Sequence, residues 1–318
     1  MNLPAHKAKA IVQEFGDSGK AWVANYRNLL DQCIEQWSLK LLGMASAGLD
    51  INVIFFCEDK QGRQLVLKIG HPHPEQGTEI IALRHYALRQ HAGRHVVRIV
   101  DWNDDSGAFL MDRIRTGDQF RRFATDISRS KLPIPLFAEL SIPAAHIEGL
   151  PTYQDWLEKG FAAYRGNLVP GNVRPEYLGY MEVAESVFSG LCKRHPEPYL
   201  LHGDLHHENI LQGEAGQWIA IDPKGVIGPR ILECGRFVHN FIEDEIEGAS
   251  TIGDANDEQI RVVLQIRLEN LSNTMKLDRS DIAAAGYVDL VLSTCWSINS
   301  KQKVDQTNKL IKLLGSLL

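Results

Sequence analysis

The spacing of apolar and polar residues changes along the chain and predicts different elements in its first part. Over residues 15–37 apolar positions recur at helical spacing, which predicts an N-terminal helix. Residues 52–57 and 64–69 are instead rich in β-branched and aromatic side chains, and the turn signal DKQG separates them at residues 59–62. These two runs therefore predict a β-hairpin.

The next segments predict one more helix and two more strands. Residues 78–91 place Ile80, Leu83, Ala87 and Leu88 on one stripe of a helix. Short apolar runs follow at 96–100 and 108–111 and predict strands. The first hundred or so residues are thus expected to be mostly antiparallel sheet with one helix inserted.

The remainder of the chain has a mainly helical pattern. Residues 182–194 form its clearest helical stretch, whereas KLPIP at residues 131–135 is expected to be an irregular connection because proline breaks helices. A sheet-rich part followed by a helical part indicates the α+β class. We expect an N-terminal sheet-rich part at 1–112 and a C-terminal helical part at 113–318.

The segment HGDLHHEN at residues 202–209 carries the strongest chemical signal. Asp204 and Asn209 lie five positions apart, and Asp222 follows a second apolar run, WIAI. Phosphoryl transfer needs an oriented hydroxyl and a neutralised phosphate charge. A carboxylate on a tight loop can orient a hydroxyl and accept its proton, while an amide oxygen and a second carboxylate suit Mg²⁺. The joint spacing therefore predicts phosphoryl transfer.

Each of these residues also has a plainer interpretation. Taken alone, Asp204 or Asn209 would more often be a turn residue that binds a backbone group. His202 and His206 have the spacing of a zinc pair, but Gly203 between them disfavours a helix that presents both rings. The chain contains no GxSxG nucleophile motif.

The segments HGDLHHEN and IDPKGVIG resemble the aminoglycoside phosphotransferase family, and most closely its streptomycin 6-phosphotransferase and hydroxyurea-resistance kinase group. The resemblance extends in motif order over roughly residues 40–245. It implies a two-lobed protein-kinase-like fold with ATP in the cleft between the lobes. By this resemblance residues 1–112 are an N-terminal nucleotide-binding lobe, and residues 113–318 are a C-terminal helical lobe with catalytic and substrate functions. It also implies that Asp204 is the catalytic base, that Asn209 and Asp222 hold Mg²⁺, and that His202 shapes the catalytic loop.

The same resemblance suggests roles for residues of the N-terminal part. Lys68, in VLKI, would contact the α- and β-phosphates, and Glu79 on the next helix would be its ion-pair partner. Ser46, in GMASAG, would donate to a phosphate, although a plain β-turn is an equally good interpretation of that segment. Asp112 and Ile114 fall where backbone groups of an interlobe hinge would bind adenine.

Two acidic segments bear on the substrate. Glu233 occupies the position of the last acid in the family's G-D-P-x-Y-D segment, whose first Asp is absent here. Residues 243–247, EDEIE, are either a field that attracts a cationic acceptor or a solvated helix end, and the second interpretation is favoured.

Composition narrows the possible partners. The net charge of −6, from 34 basic and 40 acidic residues, disfavours nucleic-acid binding. The five cysteines are scattered without a CxxC pair, and no apolar run is long enough to cross a membrane, so a cytoplasmic protein is expected. No oligomeric state is predicted.

The sequence therefore predicts an ATP- and Mg²⁺-dependent phosphotransferase that acts on a hydroxyl of a small molecule. An aminoglycoside such as streptomycin, in antibiotic resistance, is one candidate acceptor. The alternatives are a kinase of a non-antibiotic sugar or amino alcohol and a nucleotide-binding pseudokinase.

Overall fold

A computed structural model describes residues 1–45, 51–103, 106–123, 131, 133–166, 175–299 and 305–318. The chain separates into two compact units, Met1–Gly117 and Asp118–Leu318. The division after Asp112 that the sequence suggested lies slightly earlier in the chain, and the functional division into 1–112 and 113–318 stays a prediction.

The first unit contains one antiparallel sheet and two helices among its described residues. Its strands run in the order β1-β2-β3-β5-β4. In chain order the elements are α1 (Ala5–Trp37), β1 (Lys40–Met44), β2 (Val53–Glu58), β3 (Gln64–Ile69), α2 (Pro74–Leu88), β4 (Ile99–Asn103) and β5 (Ala108–Asp112).

The hairpin expected from the sequence is formed by β2 and β3, with Val53 opposite Ile69 and Ile54 opposite Lys68. Alternate residues of β2 are buried, as a strand with one face on the core requires. That face packs in one hydrophobic cluster with buried residues of α1, including Trp22 and Leu30. The hairpin is therefore stabilised by backbone pairing between its strands and by packing against α1.

The two helices of this unit begin earlier than the apolar pattern indicated. Helix α1 starts at Ala5 and is interrupted at Gly16, where φ is +58° and ψ is −127°, a conformation open to glycine. Helix α2 starts at Pro74, because proline is well suited to a first turn whose amide groups have no helical partner. Ile80 and Leu83 are buried, whereas Leu88, the last helical residue, is exposed.

The second unit is mainly helical in the part that the structure describes, with two short three-stranded sheets in the orders β10-β9-β6 and β11-β8-β7. Its strands are β6 (Thr116–Gln119, which begins at the junction), β7 (Ile142–Pro143), β8 (Pro198–Leu201), β9 (Ile210–Gly213), β10 (Trp218–Ala220) and β11 (Val226–Pro229). Its helices are α3 (Ile134–Leu140), α4 (Tyr153–Gly166), α5 (Pro175–Arg194), α6 (Gly235–His239), α7 (Asp257–Met275), α8 (Arg279–Asn299) and α9 (Asp305–Gly315).

The proline-rich stretch at 131–135 is not simply the irregular connection expected from the sequence. Helix α3 begins inside it at Ile134, with a proline in its first turn. The expected helix at 182–194 is confirmed as part of α5.

The loops of the second unit that carry the polar candidate residues lie between short paired strands. Loop 202–209 leaves β8 and enters β9, and the hairpin of β9 and β10 leads to Asp222. Strand β11 then pairs with β8, so that Val226 lies opposite Leu201. Loop 202–209 and the segment after β10 are therefore brought together at one end of these strands.

Helix α6 lies very close to α8 because its first residue has no side chain. A Cβ atom at Gly235 would be 2.7 Å from the Cβ of Asp289 and 2.9 Å from the carbonyl oxygen of Ala285. This close approach puts the next residue, Arg236, beside α8. None of the described helices is both long and apolar enough for a membrane crossing.

Candidate active site

Loop 202–209 is fixed from within by the ring of His202. This ring is fully buried; its Nε2 lies 2.9 Å from the carbonyl oxygen of Ile221, and its Nδ1 accepts a bond from the backbone N–H of Asp204 at 3.3 Å. A carbonyl can only accept, so Nε2 carries the proton and the ring is neutral. Burial lowers the pKa of His202 to about 4, against the opposing charge of Asp204.

Since both ring nitrogens are used, His202 is not placed as a zinc ligand. Among the described residues, no group of three or more His, Cys, Asp or Glu side chains is arranged to hold a metal ion. The zinc interpretation therefore has no support in the geometry.

Glu233 holds the backbone of the same loop. Its carboxylate accepts bonds from two successive N–H groups, those of His202 at 2.7 Å and Gly203 at 3.2 Å. Burial raises the pKa of Glu233 to about 7, although these two N–H groups act in the opposite direction. The backbone N–H of Lys224 binds the carbonyl of His202 at 2.8 Å, so the loop is anchored on more than one side.

Gly203 is required at its position for two reasons. Its φ of +79° lies in the left-handed region, and a Cβ atom there would be 2.7 Å from the ring of Trp156. Trp156, on α4, meets Trp296 edge to face at 5.7 Å between ring centroids, and Trp296 is exposed. The ring of Trp156, which itself contacts Trp296, thus lies against Gly203, the residue that precedes Asp204.

The carboxylate of Asp204 is partly accessible, with 18% of its side chain exposed. Its Oδ1 lies 3.4 Å from Nε of Arg236 and 3.7 Å from Nε2 of His206. The Nδ2 of Asn209 donates to the carbonyl oxygen of Asp204 at 3.0 Å. Because the amide nitrogen of Asn209 is engaged in this way, its side-chain oxygen is the atom suited to a cation.

Asp222 lies two residues after the end of β10, and the residue before it is hydrogen-bonded to the backbone of Asn209. The N–H of Ile221 donates to the carbonyl oxygen of Asn209 at 2.9 Å. Asp222 has a φ of +63°, an uncommon value for a residue other than glycine that aspartate tolerates better than most. A carboxylate and an amide oxygen from neighbouring segments fit Mg²⁺, which prefers oxygen ligands and takes few from the protein.

A charged pair beside Asp204 was not evident from the sequence. Nε of Arg236 lies 3.1 Å from Oδ2 of Asp289. The carboxylate of Asp289 also accepts a bond from the hydroxyl of Tyr153 at 3.0 Å, through Oδ1, and lies 2.6 Å from Nε2 of His239, through Oδ2. Burial acts to raise the pKa of Asp289, but Arg236 and His239 together lower it. An aspartate within the apolar run of α8 was the available signal, and its partner was not identifiable from spacing.

In the first unit Lys68 and Glu79 form a buried ion pair. Nζ of Lys68 lies 2.7 Å from Oε2 of Glu79, and their side chains are 4% and 8% exposed. Lys68 is on β3 and Glu79 on the buried face of α2. A lysine that merely extends to solvent, the plainer interpretation of the sequence, does not describe this geometry.

The remaining candidates for nucleotide binding are less defined. Ser46 lies outside the described residues. Asp112 ends β5, where its N–H donates to the carbonyl of Arg98 and its carboxylate pairs with the Arg98 side chain at 2.7 Å. Ile114 is half-buried shortly after it. Roles at adenine stay predictions for Asp112 and Ile114.

The acidic segment 243–247 is only partly solvated, because two of its four acidic side chains are paired with arginines. Asp244 pairs with Arg121 at 2.7 Å. Glu245 is buried and pairs with the fully buried Arg267. Half of the acidic side chains of this segment are therefore paired with arginines, Asp244 in a partly exposed ion pair and Glu245 in a buried one.

Comparison with known proteins gives a consistent result. Residues 44–300 match the sequence model of the family described as "Aminoglycoside/hydroxyurea antibiotic resistance kinase". The streptomycin 6-kinase of Streptomyces griseus is 26% identical over 94% of this chain and 91% of its own length. The hydroxyurea phosphotransferase of Kitasatospora aureofaciens is 26% identical over 72% of this chain and 65% of its own length.

A solved structure extends the likeness to the fold. It is a thermostable mutant of the aminoglycoside phosphotransferase APH(4)-Ia in ternary complex with AMP-PNP and hygromycin B. Its TM-score is 0.59 at 13% identity, covering 90% of this chain and 97% of that one. The α+β, two-lobed protein-kinase-like fold and the family resemblance expected from the sequence are thereby confirmed.

Proposed function

The chain belongs to the aminoglycoside/hydroxyurea antibiotic resistance kinases, and we propose that it transfers the γ-phosphoryl group of ATP to a hydroxyl of a streptomycin-like aminoglycoside. Family membership makes it a small-molecule kinase with an alcohol group as acceptor. The observation that carries the proposed site is the placement of Asp204 on a loop anchored by Glu233 and adjoining Asn209.

Asp204 acts as the catalytic base in this proposal. Its carboxylate accepts the proton of the acceptor hydroxyl as that oxygen bonds to the γ-phosphorus, and the bond from the γ-phosphorus to the β–γ bridging oxygen breaks. The bonding electrons leave with ADP, so the products are the phosphate ester and ADP. Positioned general bases contribute about 10²–10⁴-fold to rates.

Three side chains bind the nucleotide in this proposal, two of them through Mg²⁺ and one, a buried lysine, directly. Asn209 and Asp222 hold Mg²⁺, which neutralises charge on the phosphates when bound. Lys68 contacts the α- and β-phosphates, and Glu79 fixes the position of its ammonium group. Ser46, Asp112 and Ile114 keep their proposed contacts with phosphate and adenine, and the cytoplasmic location stays a prediction.

A second candidate acceptor is a metabolite with less charge than a polycation, either an uncharged sugar or an amino alcohol whose protonated amine carries a single positive charge. The observation that favours it is that Arg121 and Arg267 pair with two of the four acids of the acidic segment. That segment was the sequence feature expected to draw in a polycation. The catalytic residues and the chemistry are the same for both acceptors.

The test is ATP consumption with and without Mg²⁺ against a panel of acceptors. The panel contains streptomycin, hygromycin B, hydroxyurea, sugars and amino alcohols, and phosphorylated products are identified by mass spectrometry. Turnover of streptomycin is expected. Turnover of a sugar or amino alcohol alone would replace the substrate, while ATP binding without transfer to any acceptor would contradict kinase activity and indicate a pseudokinase.

A further inference from the structure

A fixed positive charge lies beside Asp204, on the short helix α6. The closest approach is from Nε of Arg236 to Oδ1 of Asp204, at 3.4 Å, and the side chain of Arg236 is only 16% exposed. Burial alone would lower the pKa of Arg236, but Asp289 and Asp204 raise it. Arg236 is therefore charged in the folded protein.

The position of Arg236 is determined from behind by a buried acid. Asp289, whose side chain is 3% exposed, lies 3.1 Å from Nε of Arg236. Tyr153 and His239, both buried, hold the two oxygens of Asp289. A carboxylate kept in this way is a rigid support, since any displacement would leave a buried charge without its partners.

Arg236 pairs with the two aspartates through its Nε, and its other N–H donors are available to a ligand. Within the described ranges, Nη1 and Nη2 of Arg236 make no hydrogen bond to the protein; its two ion pairs are closest at Nε. A guanidinium group offers several N–H donors in a planar fork. That fork matches two oxygens of a phosphate better than any uncharged group.

The reaction brings such oxygens to this place. In-line transfer puts the γ-phosphorus next to the hydroxyl oxygen that is in contact with Asp204. A cation 3.4 Å from that carboxylate is then within reach of the non-bridging oxygens of the γ-phosphoryl group. Charge that moves onto these oxygens in the transition state would be stabilised by a group already in position.

We propose that Arg236 is a catalytic residue that binds non-bridging oxygens of the transferred γ-phosphoryl group, with Asp289 as its positioning residue. The inference rests on the proposed function and adds a protein cation to the roles of Lys68 and Mg²⁺. It differs from the view that Arg236 only holds Asp204 in place, because that role would not depend on the γ-phosphate.

The experiment compares ADP with AMP-PNP, which differ in the γ-phosphate, by titration calorimetry in the presence of Mg²⁺. Wild-type protein is expected to bind AMP-PNP more tightly than ADP. In Arg236→Gln the affinity for AMP-PNP falls about tenfold while that for ADP is unchanged, because one charge-assisted contact is lost. Turnover falls as well, without a matching rise in the KM of the acceptor.

Arg194→Gln is the matched control. Arg194 also pairs with an aspartate of α8, Asp281, at 2.6 Å, and it makes no contact with Asp204 among the described residues. Its replacement is expected to leave both affinities and turnover at wild-type values. Arg236→Lys, which keeps the charge and loses the fork, is expected to fall between wild type and Arg236→Gln, and it serves if the glutamine variant does not fold.

Each other outcome has a clear meaning. If Arg236→Gln, or Arg236→Lys in its place, keeps the wild-type ratio of AMP-PNP to ADP affinity, Arg236 does not touch the γ-phosphate and the inference is wrong. It is equally wrong if the wild-type protein binds both nucleotides alike. If the wild-type protein binds neither nucleotide, the proposed function fails first and the inference fails with it.

Discussion

The two units of this protein stabilise buried charge in different ways. In the first unit, Lys68 and Glu79 are a buried pair that shares one 2.7 Å contact. In the second, Asp204 is paired with Arg236, and Arg236 is also paired with Asp289. Tyr153 and His239 in turn bind the carboxylate of Asp289. The first site is centred on a lysine–glutamate ion pair, and the second is a network that branches from Arg236 to Asp204 and Asp289.

Because of this difference, loss of a charged residue is expected to affect the stability of the fold more in the first unit than in the second. Removing one member of a buried pair leaves an uncompensated charge, and the fold bears the cost. In a network the remaining members still neutralise one another, so that an outer member such as Asp204 can be changed with less harm to the fold. We therefore expect the second unit to tolerate loss of its central carboxylate better than the first tolerates loss of its lysine.

The largest effect is expected from Asp204→Asn. Turnover should fall by about 10²–10⁴-fold because the amide cannot accept the proton of the acceptor. The melting temperature should change little, since Arg236 keeps its contact with Asp289. Steady-state kinetics and thermal unfolding check the two statements, and full activity would show that Asp204 is not the base.

Asp222→Asn is the companion variant to Asp204→Asn. It is expected to weaken Mg²⁺-dependent nucleotide binding, whereas Asp204→Asn leaves that binding nearly intact. If both variants lost nucleotide affinity equally, the proposed separation between a base and a metal ligand would be wrong.

The next effect is on stability, from Lys68→Met. Glu79 would remain buried and lose the cation that contacts its Oε2, and the free energy of unfolding should fall by about 3–5 kcal/mol. The double variant Lys68→Met/Glu79→Leu removes both charges and should regain most of that loss. Urea unfolding of the two variants and the wild type measures this, and a double variant no more stable than the single one would refute the pair as described.

The smallest effect is expected from Glu233→Gln. A glutamine presents one acceptor oxygen instead of two to the N–H groups of His202 and Gly203, at a cost of about 1–3 kcal/mol. Turnover should fall modestly, because the loop that carries Asp204 is held less firmly.

The stability deficit of Glu233→Gln should also depend on pH. The pKa of Glu233 is raised to about 7 from an unfolded value near 4.5, so the folded state binds the extra proton between these values. Stability from this group is then complete below about pH 4.5 and is lost as the pH rises through 7. The deficit of the variant should therefore shrink over that range in urea unfolding, and a deficit that grew with pH would contradict the shift.

The sequence was sufficient for parts of the molecule that depend on local pattern. The β2–β3 hairpin follows from alternating burial and a turn signal, both readable in a few residues. The order of Lys68, Asp204, Asn209 and Asp222 carried the family resemblance, which the comparisons confirm. Helix starts were less predictable, because Ala5 and Pro74 begin helices through packing and proline geometry rather than apolar period.

What the sequence could not give depends on contacts between distant segments. Arg236 and Asp289 are separated by 53 positions and meet only because α6 and α8 pack together. The acidic segment 243–247 was misread for the same reason, since Arg267 and Arg121 lie on other elements. Side-chain charge is visible in a sequence, but its neutralisation is a property of the packed chain.

The close packing of α6 against α8 depends on the absence of a Cβ atom at Gly235. The space for a Cβ at this position is already taken by the backbone of Ala285 and the side chain of Asp289. One neutral methyl group would therefore be expected to move a guanidinium group away from its support. An engineer who seeks altered acceptor selectivity should leave position 235 unchanged.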